Sequence, residues 1–161
     1  MLSCTVAEAR EAQAIHDKYG KGGWNSKQRD IEGGWRFLGS GHSRWAYLAP
    51  SGTVYKVGQK SCNKAEHDAA QVLRSVPNDL VGIPQTRYYK SVGILAMEFV
   101  QGKAGIPQED KDSYRMAIDA LGIVDQWYLN FIFDGVKVWL IDLGEFAGMG
   151  MSALRSRLKV T

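Results

Sequence analysis

Gly122-Ile-Val-Asp125-Gln-Trp-Tyr-Leu-Asn130-Phe-Ile-Phe-Asp134-Gly-Val-Lys-Val-Trp-Leu-Ile-Asp142-Leu-Gly144-Glu-Phe146 is the stretch that decides the reading of this chain. Two short apolar runs, 130–133 and 136–141, lie on either side of Asp134-Gly135, a strong hairpin signal. Asp125 and Asn130 flank the start of the first run, and Asp142 closes the second. An antiparallel hairpin brings all three polar groups to one end. Magnesium prefers hard oxygen ligands and usually takes one or two carboxylates from protein, leaving phosphates and water to complete its shell. Asn130 and Asp142 fit that demand, and Asp125 remains as a base.

The totals narrow the class. A chain of 161 residues is most simply one domain with enough length to bury a core. Its 45% hydrophobic and 23% charged residues argue against wholesale disorder. A net charge of +3 permits an anionic partner such as nucleotide, but lacks the concentrated basic footprint of a dedicated nucleic-acid binder. Cys4 and Cys62 are far apart and lack metal-ligand spacing, so neither a disulfide framework nor a zinc site is implied. With no leader pattern and no apolar run of membrane-spanning length, the expected compartment is the cytoplasm, without a membrane partner.

Working outward, residues 110–121 carry Tyr114, Ala117, Ile118 and Leu121 at helical spacing before Gly122, a helix that delivers the chain to Asp125. Upstream, runs at 35–38, 45–48, 53–57, 87–90 and 93–100 read as five strands. Gly39-Ser-Gly41 lies between the first two, and Pro50-Ser-Gly52 makes a tight turn between the second and third. A glycine-rich hairpin lets backbone amides approach phosphate, and Lys56 on the third strand can reach the same phosphates. Alternation puts Lys56 on the face of Val54. Asn63-Lys-Ala-Glu66 opens a helix whose apolar positions are Ala65, Ala69, Val72, Leu73 and Val76, with Pro77 as its stop. Glu66, three residues after Asn63, suits a capping box.

At the ends of the chain the signals are plainer. Thr5-Val-Ala-Glu8 reads as a capping box, followed by an apolar stripe of Val6, Ala9, Ala12, Ile15 and Tyr19 up to Gly20: a helix on the outside of the domain, with His16 as a packing or surface residue. Residues 20–34, with Lys21, Lys27 and Arg29 around Trp24, read as a solvated linker, with a partner-binding loop as the other reading. Residues 147–161 carry Leu154 and Leu158 beside Arg155, Arg157 and Lys159, a short helix with a basic side that an acidic partner could use.

The order of these pieces between Leu38 and Gly144 resembles that of the protein-kinase-like fold: glycine-rich hairpin, strand lysine, helix glutamate, Met97-Glu-Phe-Val100 hinge, Asp125-x-x-x-x-Asn130, hairpin, Asp142-x-Gly144. More narrowly, Leu38-Gly-Ser-Gly41-His-Ser-Arg-Trp-Ala-Tyr47, Lys56-Val-Gly58 and Gly82-Ile-Pro84 are similar to the small early protein kinases of T7-type bacteriophages. The resemblance implies ATP and Mg2+ as cofactors. It gives Leu38, Ala46 and Val54 to one face of adenine and Ile132 to the other. Met97 would lie behind the ring, with the Glu98 carbonyl and Val100 amide hydrogen-bonding its edge. Gly39 and Gly41 would bend over the phosphates that Lys56 contacts, and Glu66 would pair with Lys56. Asn130 and Asp142 would hold magnesium while Asp125 accepts the substrate hydroxyl proton. The implied fold is α+β: an antiparallel five-stranded N-lobe with one helix, plus a minimal C-lobe of a helix and the catalytic hairpin. Its divisions are 1–34, 35–102 and 103–161.

Several positions depart from that pattern. Ile123 stands where a histidine is usual, Trp127 where a lysine or small polar residue is, and Arg44 where the loop's third glycine would be. The activation segment and substrate-binding helices of a full kinase do not fit after Gly144. Three functions follow from the resemblance: a Ser/Thr protein kinase acting on host proteins and on itself, a non-catalytic kinase-fold protein that binds and inhibits a host protein, and a small-molecule kinase of aminoglycoside-phosphotransferase type. A homodimer that completes the missing lobe is left open.

Overall fold

Period-two alternation along the first strands sorts their side chains onto two faces, and each face acquires its own cover. In the structure, a computed structural model describing residues 2–20, 27–76, 78–147 and 149–158, β1 (Arg29–Asp30), β2 (Arg36–Ser40), β3 (Arg44–Leu48), β4 (Thr53–Gly58), β6 (Thr86–Tyr89) and β7 (Ile94–Glu98) form one sheet. Its order is β1-β2-β3-β4-β7-β6, antiparallel throughout. The expected five strands are therefore six: Arg29–Asp30, assigned to a linker, pairs with Arg36 and Phe37. Arg29 also lies over the Phe37 ring, 4.7 Å from its centroid. Lys21 and Trp24 of that segment lie outside the described residues.

Trp35, Phe37, Tyr47, Tyr55, Val57, Ile94 and Ala96 bury one face of this sheet against α1 (Val6–Tyr19), which contributes Ala9, Ala12 and Ile15. Burying a side chain the size of Phe37 is worth about 1.5–3 kcal/mol, so this face alone anchors the helix. Thr5 Oγ1 accepts the Glu8 N–H at 3.1 Å, as a cap should. The Glu8 carboxylate does not close the box, because it accepts from Ser51 Oγ and the Tyr55 hydroxyl, each at 2.6 Å. His16 is a packing residue, its Nδ1 2.9 Å from the Tyr47 hydroxyl and its ring 4.7 Å from that of Trp45.

The opposite face carries Ala46, Val54, Lys56, Leu95 and Met97, as the register shows: Ala46 pairs with Lys56, Lys56 with Leu95, and Val54 with Met97. A bulge between Phe37 and Gly39 puts Leu38 at the irregularity. Over this face runs α2 (Lys60–Arg74). It begins three residues before Asn63, so Asn63 is no N-cap; Gln59 holds that position without a side-chain bond. Asn63 is fully buried and its Nδ2 donates to the carbonyls of Lys56 and Gly93, each at 2.9 Å. Pro77, the expected stop, lies outside the described residues.

The second half builds a smaller sheet of order β5-β10-β9-β8 from β5 (Val81–Gly82), β8 (Lys103–Ala104), β9 (Phe131–Phe133) and β10 (Val138–Leu140). The sequence showed only the hairpin β9–β10; β5 joins it in parallel and β8 antiparallel. Asp134 turns the hairpin as expected, its Oδ1 accepting the Val136 and Lys137 N–H groups at 2.8 Å and its Oδ2 the Trp139 indole at 2.7 Å, while Gly135 takes φ +103°. Helix α3 (Lys111–Ala120) and α4 (Met151–Arg157) pack on this unit through Tyr114, Ile118 and Leu154. With Ala69, Val72 and Leu73 of α2 they enclose a second apolar core around Phe131, Val138, Leu140 and Phe146. Lys159 of the tail lies outside the described residues. Cys4 and Cys62 are free thiols.

Candidate active site

Four charged side chains meet where α2, the sheet and the hairpin converge. Lys56 Nζ donates to Glu66 Oε1 at 2.7 Å and to the Ile141 carbonyl. Arg44 spans the same space: its Nη1 donates to Glu66 Oε2 and, at 3.3 Å, to Asn63 Oδ1, and its Nη2 to Asp142 Oδ1 at 2.6 Å. Lys56, Arg44 and Glu66 are nearly inaccessible, whereas the Asp142 side chain is 44% exposed. Two cations and two carboxylates thus balance, three of the four withdrawn from solvent, and such pairing is the condition under which buried charges are tolerated. Glu66 is no capping residue; both its oxygens are taken by cations.

Electrostatics follow from that packing. Desolvation opposes ionisation of Asp142, but the Lys56 and Arg44 charges and the Gly144 N–H at 2.9 Å outweigh it and hold the carboxyl below its ordinary pKa. Burial also works against the Arg44 charge; Glu66 and Asp142 reverse that and raise its pKa further.

Two glycines make the approach feasible. A Cβ on Gly58, where φ is +139°, would meet the Ser43 carbonyl oxygen at 2.3 Å, so glycine lets the end of β4 close against the strand that carries Arg44. A Cβ on Gly144 would lie 3.0 Å from Arg44 Nη2 and 3.1 Å from Asp142 Oδ1. The glycine of Asp142-Leu-Gly144 therefore leaves room for the Arg44–Asp142 bridge.

Asp125 and Asn130 occupy the loop before β9. Asn130 ends a 3-10 turn (Tyr128–Asn130), not the strand, and its Nδ2 reaches the Asp125 carbonyl at 3.4 Å. Its own carbonyl accepts the Ile141 N–H at 2.9 Å, which sets it across from the residue preceding Asp142. Asp125 is exposed. Glu145 holds the loop from below, accepting the Val124 and Asp125 N–H groups at 3.3 Å and pairing with Arg157 of α4 at 3.1 Å. Burial raises the Glu145 pKa, offset in part by those N–H groups and by Arg157. Ile123, in the histidine's usual place, is a buried apolar anchor, and Trp127 is half exposed with its ring 4.9 Å from that of Tyr128.

The structure thus brings Lys56, Glu66 and Asp142 together, and sets Asn130 beside Asp125 at the mouth of the hairpin. Ala46, Val54 and Met97 share the Lys56 face. Glu98 uses its side chain to accept the Gln85 N–H at 3.2 Å. Leu38, Gly39, Val100 and Ile132 are half-buried and Gly41 is exposed. Sequence reasoning missed Asn63, Glu145 and the bridging part of Arg44. For Arg44 a signal existed, since alternation from Ala46 puts it on the Lys56 side of the sheet.

Among the described residues no cluster of three His, Cys, Asp or Glu side chains stands ready for a metal, and no helix is long and apolar enough to cross a membrane. Asn130 and Asp142 do offer the oxygen donors that suit magnesium. Asp142 Oδ1 accepts from both Arg44 Nη2 and the Gly144 N–H. A cavity of about 240 Å³ borders the loop, lined among others by Lys111, Arg115, Gln126 and Tyr128.

No protein-family profile and no curated protein matches the chain. Solved structures do. The GDP and kanamycin complex of APH(2")-IIia aligns at a TM-score of 0.40 and 20% identity, over 68% of this chain and 38% of that one. The streptomycin-ATP-APH(2")-IIa ternary complex gives 0.44 and 16%, over 78% and 42%. ADP-bound aminoglycoside phosphotransferase APH(2'')-Ib gives 0.40 and 18%, over 74% and 40%. The chain spans about two fifths of the length of these structures, and its likeness to them is partial and at low identity.

Proposed function

We propose that this chain is an ATP- and magnesium-dependent phosphotransferase that phosphorylates Ser or Thr of proteins, itself included, in the manner of the small phage kinases its motifs resemble. The observation that carries this reading is the buried Lys56–Glu66 pair at 2.7 Å, set one residue from Asp142 by the bond from Lys56 to the Ile141 carbonyl. A strand lysine oriented by a helix carboxylate is held ready for phosphate, and a purely structural lysine gains nothing by burial in that setting. Residues 35–102 then bind nucleotide, with adenine between Leu38, Ala46, Val54 and Ile132 and its edge at Glu98 and Val100. Residues 103–161 supply the chemistry.

Asn130 and Asp142 would hold magnesium, which when bound neutralises charge on the β- and γ-phosphates. Lys56 draws the phosphates to the sheet, and Gly39 and Gly41 let the loop close over them. Asp125 accepts the proton of the attacking hydroxyl, whose oxygen bonds to the γ-phosphorus as the bond to ADP breaks. Glu145 fixes the backbone that carries Asp125.

The test is incubation with magnesium and γ-labelled ATP, with and without bacterial lysate. Wild type is expected to transfer label, Asp125→Ala to lose about 10²–10⁴-fold in rate, and Asp142→Ala to lose transfer altogether. Transfer by Asp125→Ala at the wild-type rate would reject the assignment.

One observation favours a second reading. Asp142 is already neutralised by Arg44, as it would be in a kinase-fold protein that binds and inhibits a host protein without turnover. On that reading, folded Asp125→Ala retains the cellular effect.

A further inference from the structure

The Arg44–Asp142 bridge lies across the position where the preceding reading puts a cation, and the inference rests on that reading. Arg44 is 7% exposed and has two independent attachments: Glu66 with Asn63 on α2, and Asp142 on the hairpin. The first is internal to the nucleotide-binding half. The second crosses 98 residues of sequence to a half-exposed carboxylate. We infer that Arg44 is an intramolecular counter-ion that competes with magnesium for Asp142, so that the cation-nucleotide complex binds by breaking one bond, Arg44 Nη2 to Asp142 Oδ1, while Arg44 stays anchored on Glu66.

Charge and space both support a single-bond release. Glu66 accepts from Arg44 on one oxygen and from Lys56 on the other, so it stays satisfied when Asp142 is withdrawn. Arg44 keeps Asn63 Oδ1 and Glu66 as acceptors for Nη1. Gly144 provides the gap in which Nη2 meets Asp142, and any side chain there would crowd that contact rather than the anchor. The rest state is neutral and closed, whereas the loaded state exchanges one guanidinium contact for a divalent one.

The test is a calorimetric titration of ADP at a series of magnesium concentrations, with thermal unfolding of each variant to verify folding. Arg44→Gln removes the charge and, with its shorter polar side chain, the bridge to Asp142. Gly144→Ala leaves all four charges and crowds only the bridge. The magnesium concentration at half-saturation is expected to fall about tenfold for Arg44→Gln and severalfold for Gly144→Ala, with magnesium-free ADP binding little changed in Gly144→Ala. An unchanged or raised magnesium requirement in folded Gly144→Ala, while wild type binds Mg-ADP, overturns the competition and leaves nucleotide binding standing. If neither wild type nor variants bind Mg-ADP, the nucleotide reading fails and the inference falls with it.

Discussion

Glu66 supports two cations from a position 1% exposed, which makes it the most consequential side chain outside the apolar cores. Removing one partner of a buried pair typically costs about 3–5 kcal/mol, because the charge left behind is uncompensated. Glu66→Ala is accordingly expected to lower the unfolding free energy by that order, and Lys56→Met to cost less, since Arg44 remains on Glu66. Both are read from equilibrium unfolding curves. The sequence left two readings of Glu66 open, and the pairing with Lys56 was the one the resemblance implied. Its rival, a capping box from Asn63, failed because α2 starts at Lys60, where nothing in the side chains marks a cap. For Arg44, alternation gave the face but not the partner. An arginine after a glycine-rich turn ordinarily faces solvent, and its burial here depends on a carboxylate 98 residues away.

Elements with sustained periodicity were the ones that could be read: α1, α3 and the hairpin all lie within a few residues of where spacing puts them. The two-residue strands β1, β5 and β8 could not be, because a pattern of two residues has no period. Their place is fixed by neighbours instead. Gly82 shows this: Trp139 lies so close that a Cβ would fall 2.4 Å from its indole. Gly82→Ala is expected to destabilise by about 1–3 kcal/mol through overpacking, measured as a drop in the unfolding midpoint at unchanged slope. The Asp134 turn is the matching test on the other side of the hairpin. Asp134→Ala removes three acceptor contacts and should cost about 1–2 kcal/mol, with Trp139 fluorescence reporting the loosened loop.

Across the whole molecule, two histidines tie pH to stability. Burial lowers the pKa of His16, beside Tyr47 and Trp45, and of His67, whose Nδ1 lies 2.8 Å from the Thr86 hydroxyl. Their charged forms are penalised in the fold, so the stability they contribute is complete above the unfolded value of 6.5 and is lost as pH falls below it toward the lower folded values. Unfolding free energy is expected to decline between pH 7.5 and 5.5 in the wild type, and to decline less in His16→Phe combined with His67→Gln. That two apolar cores exist at all was not legible in the chain's hydropathy, which alternates in much the same way on both sides of α2. They are separate because the first sheet lies between them: Tyr55 and its neighbours face α1, while the face turned toward α2 bears Lys56 and receives Arg44. A joint that relies in part on ions, with α2 carrying apolar contact across it, transmits cooperativity less well than one continuous core. Heated in a calorimeter, the protein should therefore melt as two loosely coupled blocks, with a measured enthalpy larger than the sharpness of its transition alone would give.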